Sequence, residues 1–542
     1  MTAVNNTTFT DEVYYTWLHS QHWAPSTLTY SFPDDGQFIG YQNTNDVNPL
    51  SNSQKAAVER VLDEIASFTN LTFTEVTESA TTEGTLRFAQ EVGLGGGYAY
   101  LPNTGETGGD GFFGSGTNNP TIGNEAYLFF THEIGHAMGL DHGHESPAFV
   151  ASGFDSQEYT VVTYTDYVGD TDTFSYDSGV VDWAQTYQQL DIAALQYFHG
   201  ANYSSTGEVW SGDTVYTFST TTGEMSINGV GDGTPAGNRI FRTIWDGDGE
   251  DTYDLSNYAT DLNIDLTPGE FSTFDAAQLA DLNGQGSGAS VFARGNVANA
   301  RLFNDDERSL IENAIGGSGD DTIVGNAANN VLTGNGGRDD ISGEDGDDTL
   351  SGNGGKDTLN GGGDDDELRG GSNRDILEGE DGEDLLLGGG GRDKLIGGAD
   401  KDVLKGGGED DKLIGGGGND KLQGGDGEDQ LEGGFGWDRL TGGSDADAFI
   451  FENATDSMAS SGLIDWIIDF EVGLDVIDLS GMIAGSFALS INGSFQNGVA
   501  TVVTDEIGGD TIVSADVDGD TVADFAIEVQ GAVGLTAGDF IL

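Results

Sequence analysis

A chain of 542 residues is too long for one domain and long enough to bury a large core, and with no cysteine its stability owes nothing to redox state. Lys and Arg total 19 against 93 Asp and Glu, a formal net charge of −74, which makes nucleic acid and anionic membrane poor partners and cations good ones. No apolar run is long enough to span a bilayer, and the opening MTAVNNTTFTDEVYYTW has neither the basic nor the apolar region of a secretory leader.

Up to about residue 200 the pattern is that of a globular mixed domain. TLTYSF (27–32), LTFTEV (71–76) and GTLRFA (84–89) alternate and are rich in Thr, Tyr and Phe, which predicts strands. SNSQKAAVERVLDEIASFTN carries Ala57, Val61, Leu62 and Ile65 at helical spacing behind Ser51 or Ser53 as cap. NEAYLFFTHEIGHAMG predicts a helix capped by Asn124, with Tyr127, Phe130, Ile134 and Met138 facing the core and Gly139 ending it. YQQLDIAALQYFHG (187–200) predicts another, stopped at Gly200.

Three of the seven histidines lie in HEIGHAMGLDH, and His144 follows. Positions i and i+4 share a helix face, so His132 and His136 can hold one metal. Glu133 can reach a metal-bound water without being a ligand. Gly139 lets the chain turn, and His142 returns from the other side. Three imidazoles leave one position open, as a catalytic zinc requires. His144 reads as a solvated bystander and stays outside the predicted site.

From Gly316 to Ile450 a nine-residue period runs through fifteen frames without a slip. Glycine opens every frame, and the eighth position is Ile or Leu until Phe449 closes the series. The sixth is Asp in every frame but one, where Asn330 stands. This is the calcium-binding nonapeptide G-G-x-G-x-D-x-U-x. Six glycine-rich residues are expected to turn and the next three to form a short strand with the aliphatic inward. Two frames make one coil, so ions would sit between turns 18 residues apart, held by carbonyls and by the carboxylates of Asp321, Asp339, Asp348, Asp357, Asp366, Asp375, Asp384, Asp393, Asp402, Asp411, Asp420, Asp429, Asp438 and Asp447. A disordered Gly/Asp linker needs no aliphatic at every eighth position. Without calcium, however, stacked Asp rows repel, and disorder is the expected state.

HEIGHAMGLDH is the metzincin signature, and with the repeats the chain resembles the serralysins, secreted bacterial zinc proteases. TLTYSF, NLTFTEV and GGYAYLPN resemble their protease domain, and LDIAALQYFHGANYSS its closing helix. TIWDGDGEDTYDLSNY resembles the start of their β-roll, and DFEVGLDVIDLSG with the terminal DFIL their C-terminal secretion domain.

The resemblance implies an α+β, metzincin-like zinc protease domain followed by an all-β parallel β-roll and a β-rich C-terminal secretion domain. The expected division is a catalytic domain at 1–200, a connecting β-rich segment at 201–315, the repeats at 316–450 and the C-terminal β domain with its secretion signal at 451–542. It implies one catalytic zinc on His132, His136 and His142, several structural calcium ions, and Glu133 as general base towards a zinc-activated water. Tyr164, in TVVTYTDY (160–167), matches the tyrosine that stabilises the oxyanion, and Val162 stands where the family has a methionine beneath the metal. Tyr98, Ala99 and Tyr100 match the strand along which a peptide is bound. The implied partners are protein or peptide substrates, a type I secretion ABC exporter and a protein inhibitor. The chain would be a monomer, secreted by the type I route without an N-terminal signal and folded outside by calcium. The rival reading is a secreted, calcium-dependent binding or coat protein whose protease domain has lost activity; the long repeats and Val162 favour it, and the intact histidines and Glu133 oppose it.

Overall fold

The computed structural model describes residues 3–5, 21–33, 47–79, 82–170, 176–203, 212–286, 288–459, 464–483 and 485–542. Apart from Ala3–Asn5, the stretch read for a leader lies outside the described residues. Contacts divide the chain into two compact units: residues 1–257 with 263–311, and residues 258–262 with 312–542. Among the described residues no helix is long and apolar enough to cross a membrane.

The first unit is α+β. Helix α1 (Asn52–Phe68) starts from a capping box: Gln54 N–H faces Ser51 Oγ, and Ser51 N–H donates to Gln54 Oε1 at 3.0 Å. Ala57, Val58, Val61, Leu62, Ile65 and Phe68 form its buried face at the spacing read from sequence. The sheet runs Thr72–Glu75, Thr27–Ser31, Leu86–Glu91, Gly111–Phe113, Gly97–Ala99. Its first three pairings are parallel and the last is antiparallel, which leaves Gly97–Ala99 at one edge.

Helix α2 (Glu125–Met138) is buried on every side but Phe129 and its first residue, so it is the central element of the unit. Asn124 Oδ1 caps it by accepting from Tyr127 N at 2.9 Å, and Gly139 ends it at φ 114°, a left-handed turn that glycine makes without strain. Helix α3 (Pro147–Ser152) is short, and helix α4 (Gln189–His199) stops at Gly200 as expected. One core joins Phe130, Ile134 and Val162 to Leu195 and also to Phe241, Trp245, Leu282 and Ala300. The described part of 212–311, residues 258–262 apart, therefore shares the first unit's core rather than standing alone.

In the second unit the repeats form a parallel β-roll, each repeat strand from Val331 to Ser444 pairing with the one 18 residues before it, Leu350 with Leu332 and Leu359 with Ile341 for example, so alternate frames build two opposing sheets. Beyond the repeats Thr501–Ile507, Asp510–Asp516 and Phe525–Val529 pair antiparallel. The eighth-position side chains from Ile323 to Phe449 are fully buried between them. The strands are longer than expected: Thr349–Gly354 is one of a series six or seven residues long, running from the seventh position of one frame to the third of the next. The turn is correspondingly short. Alternation explains this, because two residues after the inward aliphatic the first-position glycine also points inward, where nothing larger fits. A Cβ on Gly343 would lie 2.0 Å from Asp348 Oδ2 and 2.6 Å from the Gly361 carbonyl oxygen. At the end of the chain Phe540–Ile541 adds to Val476–Asp478, and Asp539 is buried with Oδ1 accepting from Gly473 N at 2.7 Å.

Candidate functional site

The histidine spacing does in space what it promised. His132 and His136 project from one face of α2, the turn after Gly139 brings His142 back, and the three Nε2 atoms form a triangle of 3.1, 3.1 and 3.2 Å. His132 Nδ1 lies 2.8 Å from the Val161 carbonyl oxygen and His136 Nδ1 2.5 Å from that of Leu140. A carbonyl only accepts, so both Nδ1 atoms carry the proton and both Nε2 atoms offer lone pairs. Burial first, then the neighbouring imidazoles, hold His132 well below the usual histidine range and lower His136 and His142 to about 4, so all three are neutral near pH 7.

Lone pairs converging at this distance repel unless a cation sits among them. A tetrahedral zinc with bonds of about 2.0–2.1 Å needs nitrogen edges of roughly 3.3–3.4 Å. The residues present therefore fit zinc.

Glu133 is 6 % exposed, and burial pushes its carboxyl up to about 8, against the pull of a hydrogen bond from Ala99 N–H. The edge strand comes this close because residue 97 is glycine: a Cβ there would stand 2.8 Å from Glu133 Cγ. Tyr98 is committed to the sheet, its hydroxyl donating to Glu91 at 2.7 Å and its ring stacked on Phe112 at 5.1 Å. Tyr100 remains 38 % exposed. The Tyr164 ring faces the triad, with its centroid 4.7 Å from His142 and 5.7 Å from His132. Val162 is fully buried beneath α2, where its Cγ1 would be 3.1 Å from a Cβ on Gly135, between the first two histidines.

Sequence reasoning missed Asp191. In the first turn of α4 and fully buried, it accepts from Thr160 Oγ1 at 2.6 Å, from Val161 N at 2.8 Å and from Gln188 N at 2.9 Å. It thus holds Val161, the residue whose carbonyl orients His132, through the neighbouring peptide N–H. The only signal was an acid inside an apolar helix, QLDIAAL. Asp191→Asn puts an amide donor against these donors, and zinc affinity is expected to fall about 10–100-fold with a loss of about 1–3 kcal/mol in stability. Chelator competition and thermal melts measure both; unchanged zinc affinity would show that the Val161 carbonyl is held by other means.

In the second unit the sixth-position aspartates form ladders. Up to Asp429 each backbone N–H donates to Oδ1 of the aspartate 18 residues on, as from Asp339 to Asp357 and from Asp357 to Asp375, both at 2.9 Å. In every one of them from Asp339 to Asp447, Oδ2 is buried without a hydrogen-bond partner. A carboxylate oxygen is not stable buried and unpaired, and rows of them beside carbonyls fit a hard cation. Asp321 differs: Oδ1 accepts from Leu262 N at 2.8 Å and Oδ2 from Gly317 N at 2.7 Å. The ladder also outruns the repeats, because Asp438 N donates to Asp465 Oδ1 at 2.8 Å and Asp465 Oδ2 is again unpartnered. The 27-residue step to Asp465 breaks the period, so the frame count could not find it.

Residues 205–542 match the family described as Peptidase M10 serralysin C terminal. A serralysin of Proteus mirabilis is 31 % identical over 328 residues, 55 % of this chain and 59 % of that protein. Metallopeptidase AprA of Pseudomonas marginalis is 31 % identical over 317 residues, again 55 % and 59 %. The AlgE6R3 subunit of an Azotobacter vinelandii mannuronan C5-epimerase aligns at 29 % identity and a TM-score of 0.22 over 26 % of this chain and 78 % of that one. The matches thus span less than two thirds of the two peptidases' own length. The family match takes in well over half of the 542 residues, and the chain belongs to the Peptidase M10 serralysin C-terminal family.

Proposed function

We propose that this chain is a secreted zinc-dependent endopeptidase that hydrolyses protein substrates. The observation that carries the reading is the triangle of neutral Nε2 atoms, two of them from the helix that carries the buried carboxyl of Glu133. His132, His136 and His142 would hold the metal. Zinc bound there supplies a Lewis acid for the scissile carbonyl and lowers the pKa of a water towards about 7. Glu133 takes the water's proton and passes it to the leaving amine, with Ala99 N–H fixing its orientation. Tyr164 donates a hydrogen bond to the oxyanion. Its ring lies 4.7 Å from that of His142 and 5.7 Å from that of His132, a nearness that supports the role. The peptide adds along Gly97–Ala99, with Tyr98, Ala99 and Tyr100 as its neighbours, because this is the edge of the sheet nearest Glu133.

The sixth-position aspartates from Asp339 to Asp447 hold calcium that folds the roll outside the cell, whereas Asp321, whose two oxygens accept from the Leu262 and Gly317 amides, caps the start of the series. A type I exporter carries the chain out, with the terminal DFIL as part of its signal, and the four-part division at 200, 315 and 450 is retained as the functional one. Casein hydrolysis with and without a chelator tests the reading. Activity should vanish with the chelator and return with zinc. Hydrolysis that survives zinc removal would overturn it, as would an inert protein with zinc fully bound.

A further inference from the structure

His144 was set aside as a bystander, and the structure gives it company. Its ring lies 5.0 Å from that of His142 and 5.3 Å from that of Tyr164. Its Nδ1 is buried without a hydrogen-bond partner. The chain from His142 to Ser146 makes one tight turn: Glu145 N donates to the His142 carbonyl at 3.1 Å, and Ser146 N to that of Gly143 at 3.0 Å. Such a turn eclipses residues three apart. Glu145 is thereby placed over His142, with its Oε1 3.5 Å from His142 Nδ1.

His142, His144 and Glu145 each present a ligand atom within 4.8 Å of the other two. We propose that these three residues form a second, weaker zinc site that inhibits the enzyme when it fills. Two imidazoles and a carboxylate suit zinc rather than calcium or magnesium, which take oxygen. The Glu145 side chain is 64 % exposed, so the position opens to solvent and an ion can reach it without passing through the triad.

This inference rests on the reading of His132, His136 and His142 as the catalytic zinc ligands. His142 belongs to both sets. Its Nε2 points into the triangle, and its Nδ1 faces Glu145. An ion drawn to the Nδ1 side turns the ring, and that turn weakens the third ligand of the first site. The coupling is reciprocal, so loss of the first ion strengthens the second site.

The test titrates zinc into the full chain with calcium saturating, following peptide hydrolysis and calorimetric binding together. Wild type should be fully active at one equivalent, then show a second, weaker binding event and a parallel fall in rate. His144→Asn and Glu145→Gln should keep the first event and the basal rate. They should lose the second event, so that about tenfold more zinc is needed for the same inhibition. Equal inhibition of these variants, or no second event in wild type, overturns the proposal. A second event that depends on His144 in a protein inactive at one equivalent of zinc would leave this site standing and sink the peptidase reading instead.

Discussion

Glu133→Gln is expected to lower kcat for peptide hydrolysis about 10²–10⁴-fold, with KM little changed and one zinc still bound per chain. The geometry separates base from ligand. The proposed metal-binding atoms are three imidazole nitrogens within 3.2 Å of one another, whereas the Glu133 carboxyl is directed to the edge strand and takes the Ala99 N–H. Glutamine keeps an oxygen for that hydrogen bond and nearly the same volume, so the gap beside Gly97 stays filled and the fold is undisturbed. It loses only the ability to accept a proton. Zinc content and circular dichroism should match wild type while turnover collapses. Loss of zinc from the variant would make Glu133 a ligand. A rate within tenfold of wild type would hand the proton to another group.

The site was legible where its information is local. A helix has a fixed period, so His132 and His136 could be placed on one face from spacing alone, and caps such as Ser51, Asn124 and Gly139 depend on residues within one turn. The repeats were legible because one constraint recurs: the eighth residue of every nine-residue frame is sealed between two sheets. What escaped depends on contacts distant in sequence. Asp191 reaches back 30 residues to the Val161 amide, and no periodicity marks it. Ala99 meets Glu133 only because a sheet edge passes a helix. Strand length in the roll was underestimated because glycine at the first position was read as a turn former, when it is an inward-facing strand residue with no room for a Cβ. Asp321 looks like its successors in sequence, yet backbone amides of Gly317 and Leu262 already occupy both its oxygens.

The β-roll should respond to acid in opposite senses with and without calcium. In the folded roll, burial is the first cause that pushes these carboxyls up: Asp402 and Asp438 to about 8, Asp348, Asp366, Asp375, Asp411 and Asp447 to about 7, and Asp339, Asp384, Asp420 and Asp429 to about 6. Neighbouring aspartates add to the rise in most of them, and the backbone N–H of the aspartate one coil earlier opposes it. In the unfolded chain the same groups titrate near about 3.9. The folded state thus binds more protons, and its stability grows as pH falls. That contribution is complete below the unfolded value and is lost as pH rises through 6 to 8, where the unpartnered Oδ2 rows become anionic.

Calcium bound in the roll, as proposed, would reverse the sign, because the ion and the proton would compete for the same oxygens. Without calcium, the full chain should therefore show little roll structure at pH 7.5 and regain part of it at pH 5, which is still above the sequence pI of about 4.1. With calcium saturating, the order should invert, with the higher melting temperature at pH 7.5. Circular dichroism melts at the two pH values, each with and without calcium, decide it. A calcium-free chain as rich in β-structure at pH 7.5 as at pH 5 would mean that the buried aspartates cost the fold nothing when ionised. Calcium would then not be what lets the roll form.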